Sequence, residues 1–208
     1  QALHACGVDV DARLPWVRPW SLKYQLLDGG LNCEESAYAK PGGASSVLST
    51  VPVLEAMLLT ARPFTDAEKR LADGAAKYLL ERQLFRSKRS GEVIDPSWLK
   101  LTLPRFYGYD HLRGLRAVAR WAVVRHKPLP RAAIAGSLEI LEREFGERAL
   151  WPERRWYAEI GSFQHDGSVW KRGECSTFPL LEALGVVGEP SKPLTRQLRE
   201  AREDLATL

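Results

Sequence analysis

The densest set of side chains able to do chemistry in this 208-residue chain is Tyr107-Gly-Tyr109-Asp110-His111-Leu-Arg113. It puts phenol, carboxylate, imidazole and guanidinium groups at a predicted helix start, where backbone N–H groups have no intrahelical partner. Such a cluster suits anion binding or general acid/base work, with Tyr109, Asp110 and His111 as the reacting groups and Arg113 as a ligand-holding cation. The plainer alternative makes Asp110 an N-cap, Tyr109 a core aromatic and His111 an exposed side chain.

Further groups lie elsewhere along the chain. Glu34 and Glu35 follow Cys33, and His165 adjoins Asp166. With Trp151, Trp156 and Trp170 as flat platforms, these acids would suit a carbohydrate site, which makes Glu34 and Trp170 ligand-binding candidates. Loop acids are more often merely solvated. Trp16, Trp20 and Trp121 fall at helical positions and read as core.

Apolar residues make up 45% of the chain and charged ones 27%, which excludes a disordered or fibrous protein and fits one domain over residues 1–208. Three cysteines without a CxxC pair argue against a disulfide framework and for a reducing, cytoplasmic setting. No apolar run is long enough for a membrane span, and no signal peptide is expected. The opening Gln1-Ala2-Leu3 lacks an initiator methionine. A net charge of +4, with both signs interspersed, predicts no nucleic-acid partner. The densest basic cluster, Arg82, Arg86, Lys88 and Arg89, reads as a solvated loop or a site for one anion.

Helical periodicity dominates the elements that would position these groups. Val47, Val51, Leu54 and Leu58 form one apolar stripe; Ile134, Leu138, Leu141 and Phe145 form a second, and Leu194, Leu198, Ala201 and Leu205 a third. Thr65 and Glu68 make a capping box, Pro130 and Pro193 suit first turns, and Gly146 and Gly185 follow helix ends. Helices are predicted near 14–27, 47–60, 65–84, 109–125, 130–145, 177–184 and 191–206. Pro52 argues for a start later than 47 in the second. Residues 87–104 and 151–172 lack a helical period and read as long connections that carry function. The recurring helix–loop–helix layout is that of stacked helical hairpins.

Gln25-Leu-Leu-Asp-Gly-Gly-Leu-Asn-Cys33 ends a predicted helix in a glycine turn, and Gln164-His-Asp-Gly-Ser-Val-Trp170 offers a similar pattern. Gly29 or Gly30 can take positive φ there, while Gln25 can bond open backbone groups. These segments resemble the repeats of squalene cyclases and protein prenyltransferases, in which Gln, Gly and an aromatic tie one helix to the next; Leu31 stands where an aromatic is usual. Ser45-Ser46, Val53-Leu54-Glu55, Leu84 to Ile94 and Tyr109 to Leu115 resemble bacterial members of the same superfamily, so the likeness spans about Ala2 to Pro190.

That resemblance implies an all-α fold of stacked hairpins forming a partial α/α toroid, lacking N-terminal hairpins, whose closure would need chain ahead of Gln1 or a second copy in a homodimer. It also implies an apolar, isoprenoid-like small molecule as ligand, the alternative being a noncatalytic helical scaffold that binds a partner. The acid motifs of the cyclases are missing, since Asp9-Val-Asp11-Ala12 lacks the final acidic pair and no DDxxD run exists. The zinc of the prenyltransferases would fall to Cys33, Asp110 and His111; Leu48 stands near the expected family histidine, and Cys33 is otherwise a small buried residue.

Overall fold

The computed structural model describes residues 1–39, 41–60, 62–105, 107–155, 162–173 and 177–208, and is mostly helical. Trp156 and Cys175 lie outside the described residues. Short helices α1 (Ala2–Ala5), α2 (Val10–Arg13), α3 (Val17–Lys23) and α4 (Ser36–Ala39) precede α5 (Val47–Met57) and α6 (Asp66–Leu80). A 3-10 turn at Pro96–Leu99 leads to α7 (His111–Arg125) and α8 (Arg131–Phe145). Strands β1 (Ser162–His165) and β2 (Trp170–Gly173), then α9 (Pro179–Leu184) and α10 (Lys192–Ala206), complete the chain. No helix among the described residues is long and apolar enough to cross a membrane.

Helix α7 is the hub. Its Leu112, Leu115, Val118 and Ala122 are buried, and α5, α6, α8 and α10 all pack on it. Small residues Gly114, Ala117 and Ala119 let those neighbours approach closely. Helix α10 lies parallel to α7, because Arg116 pairs with Glu200 at 2.9 Å and Arg120 with Asp204 at 3.4 Å, advancing in the same direction on both helices. The indole N–H of Trp121 donates to Asp73 and Arg125 pairs with the same carboxylate, tying α6 to α7.

The local signals of the sequence account for most helix ends. Thr65 and Glu68 form the capping box of α6, and Arg62 grips the Glu68 carboxylate with two nitrogens at 2.9 and 2.6 Å. Asp110 caps α7, and the Ser191 hydroxyl accepts from Leu194 N–H at the start of α10. Helix α5 departs from the expectation: it begins at Val47 and carries Pro52 inside it. The buried apolar stripe Val47, Val51 and Leu54 offsets the hydrogen bond that Pro52 cannot donate.

The glycine turn after α3 holds Gly29 at φ +92°, with Gly29 N–H donating to Leu26. A Cβ there would fall 2.6 Å from the Gly74 carbonyl oxygen, so only glycine lets this turn lie against α6. Gln25 donates to both Gly29 and Leu71 carbonyls, at 2.7 and 3.1 Å, bridging turn and helix. The second segment does not repeat this. Residues 162–173 form an antiparallel hairpin in which His165 faces Trp170, and Gly167 at φ +95° turns the chain between strands. Alternating Phe163, His165 and Trp170, Arg172 belong to a two-residue strand period that glycine-turn matching overlooks.

Phe145 ends α8, and a few residues later Leu150 N–H donates to the Thr195 hydroxyl while its carbonyl accepts from Ser191 N–H at 2.7 Å. The two ends of the stretch 151–190 thus meet at Leu150 and Ser191. Their base is held by Glu153, which exchanges bonds with both backbone groups of Leu101, and by Gly188 N–H on Pro152.

Candidate functional site

The cluster around Asp110 is buried. Asp110 accepts from Arg113 N–H at 2.9 Å, from Thr102 N–H at 3.1 Å and from Arg105 Nε at 2.7 Å. Arg105 reaches onward to Gln197 on α10. Arg113 binds Glu55 of α5 through Nε and Nη2 and donates to the Gly108 carbonyl. Tyr109 donates to Leu84, and burial pushes its phenol far above the usual range. His111 is buried rather than exposed: its Nδ1 lies 2.8 Å from the Ser137 hydroxyl, its edge meets Phe85, and desolvation pulls it down to about 4. Nε2 of His111 and one terminal nitrogen of Arg105 have no partner among the described residues. Every group predicted to react is thus inside the body, joining α5, α7 and α10, and none lines the clefts described below.

The zinc set does not converge. Asp110 is held by Arg105 and the α7 backbone, His111 by Ser137, and Cys33 sits in an exposed loop. No group of three His, Cys, Asp or Glu among the described residues is placed to share a metal. Cys33 is therefore not a buried filler, and it does not join Asp110 or His111. Its sulfur lies 3.0 Å from the Tyr107 hydroxyl, which in turn lies 3.2 Å from the Ser49 hydroxyl. Hydrogen bonding from Ser49, then from Tyr107, lowers the Cys33 thiol below its ordinary range. Glu34 beside it is exposed.

The tryptophans divide differently from expectation. Trp121 is core, but Trp16 and Trp20 are 61% and 52% exposed, because the short α3 turns that face to solvent. Trp151 packs edge-on against Phe145 under Arg148. Trp170 stands exposed on the hairpin beside His165.

The basic cluster does border a cleft, of about 670 Å³, at the N-terminal end of α5. Asp28 accepts from the Ser45 backbone and hydroxyl, and Tyr78 donates to the Ser45 carbonyl at 2.6 Å, fixing the chain just ahead of the helix. Ser46 precedes α5 without a side-chain cap, so the first-turn N–H groups face the cleft end unsatisfied by a side chain. The Arg82 guanidinium stacks 3.6 Å over the Tyr78 ring and bonds the Tyr78 carbonyl. Arg89 makes no ion pair or hydrogen bond among the described residues, whereas Lys88 pairs with Glu81. Val47, Val93, Ile94 and Trp98 supply the apolar side.

Backbone strain marks the same place. Gln83 and Leu84 take φ of +46° and +72°, a left-handed pair without glycine that leads into the loop bordering the cleft opposite Val47. Sequence reasoning found the basic residues, and it singled out Ser45-Ser46 and the unpatterned stretch containing Trp98. It missed Tyr78, Ser49 and Tyr107 as partners, because each sits on a separate element and only folding joins them. No family model, curated protein or solved structure matches this chain, so the functional reading rests on its own residues.

Proposed function

We propose that this domain is a partial α/α toroid that binds an isoprenoid-like small molecule bearing an anionic head at the N-terminal end of α5. One observation carries the reading: the 670 Å³ cleft joins Arg82, Arg89 and the uncapped α5 start on one side to Val47, Ile94 and Trp98 on the other. Its size falls among small-molecule sites. The head would take charge-assisted bonds from the guanidinium groups and the open N–H groups, and the tail would lie against the apolar wall. The packing of α5, α6, α8 and α10 on α7, and the Gln25 bridge from the glycine turn to α6, support the toroid.

Quenching of tryptophan fluorescence during titration with farnesyl diphosphate tests this. Binding tighter than that of pyrophosphate or farnesol alone, and weakened by Arg89→Glu, is the expected result. Equal or absent binding of all three probes overturns it.

A second reading, a noncatalytic module that binds a partner or a second copy of itself, draws on Phe163, Trp170, Phe178 and Leu180, all more than half exposed on residues 151–190. Concentration-dependent sedimentation that disappears in Trp170→Ser would favour it.

A further inference from the structure

A larger cavity lies away from that cleft, at the opposite end of the hub helix. It is a groove of about 870 Å³ between the first turns of α8 and the end of α10, floored by the last turn of α7. Leu129, Ile134, Leu138 and Leu205 line it. At its rim stand Lys127 and Arg131, both exposed, and neither side chain forms a hydrogen bond or ion pair with a described residue. Other basic groups nearby are engaged: Arg125 holds Asp73, and Arg120 holds Asp204. Helix α8 starts at the same rim behind Pro130 with no side-chain cap.

The chain entering the groove is also held in place. His126 takes φ +49° at the end of α7, and Lys127 N–H donates back to Ala122 at 2.9 Å, which turns the Lys127 backbone toward α8. A non-glycine residue in this region costs free energy, yet it places the cation beside the apolar floor.

We propose that this groove is a binding site for a medium-chain fatty acid, the carboxylate lying between Lys127 and Arg131 and the chain on Leu129, Ile134, Leu138 and Leu205. Charge selects the class: Lys127 and Arg131 stand at the rim, and no Asp or Glu side chain lines the groove. Size selects a single chain over a protein helix, since residues 131–138 of α8 present only about 10 Å of wall at 1.5 Å per residue. The site is separate in residues from the α5 cleft and does not depend on it.

The test is isothermal titration of the 208-residue chain with laurate and, separately, with dodecyltrimethylammonium. Laurate saturates one site, raises the melting temperature and binds at least about tenfold more tightly than the cationic surfactant. The exposed double variant Lys127→Glu/Arg131→Glu loses that preference while keeping its helical circular dichroism, Leu138→Gln weakens both amphiphiles, and Arg89→Glu leaves laurate binding unchanged. Unsaturable laurate uptake, equal affinity for the two amphiphiles, or loss of laurate binding in Arg89→Glu each overturns the proposal.

Discussion

The Tyr109 hydroxyl donates to the Leu84 carbonyl across 2.8 Å of core, and Leu84 is the second of two consecutive residues at positive φ. The segment leading into α7 thus fixes the turn that leads into the basic loop. A buried carbonyl without a partner is costly, so Tyr109→Phe should lower stability by about 1–3 kcal/mol in urea titration and weaken farnesyl diphosphate binding as the loop loosens. Gly114→Ala should act in the same direction, because its Cβ would fall 2.0 Å from that hydroxyl.

Asp110 tests the division between structure and chemistry. Asp110→Asn leaves the buried Arg105 without its counter-charge, and unfolding should show a loss of about 3 kcal/mol. A variant that kept its melting temperature but lost binding would instead return Asp110 to the site.

Two acid-induced losses of stability should appear in separate windows. His111 is held down to about 4 by burial, below its ordinary 6.5, so the unfolded chain takes up the proton first. Stability attributable to it is full above pH 6.5 and falls as pH drops from 6.5 toward 4. Glu68 is lowered to about 2 from 4.5, first by hydrogen bonding to Arg62, and its contribution is present above pH 4.5 and lost below. Urea midpoints across pH should lose the upper slope in His111→Gln and the lower slope in Glu68→Gln.

Cys33 offers a kinetic check on the α5 end. Ser49 and Tyr107 favour its thiolate, so the double variant Ser49→Ala/Tyr107→Phe should slow alkylation of Cys33 by iodoacetamide near neutral pH, as peptide mapping would read it. An unchanged rate would mean that neither hydroxyl acts on the sulfur.

Helix positions were legible in the sequence because caps and apolar stripes are local: Thr65 with Glu68, Pro193 in the first turn of α10, and Ile134 through Phe145 all keep their predicted roles. What escaped depended on distance along the chain. Nothing near His111 announces Ser137, 26 residues away, or the burial that the pair shares. Cys33 and Tyr107 meet across 74 residues, which no spacing rule anticipates. The Asp110 motif left two readings open for a related reason: the groups that make a helix start reactive also make it stable, and Arg105 and Glu55 reach it only through the fold.

The closure at Leu150 and Ser191 makes the forty residues between them a graft rather than a girder. A chain whose two ends meet can be lengthened, shortened or exchanged between them with a small change in closure entropy, provided the contacts of Glu153, Arg154 and Gly185 with residues 101–104 are kept. The helical body can then hold its architecture while its most exposed aromatic surface is rewritten, so that two chains with the same hub could meet quite different neighbours.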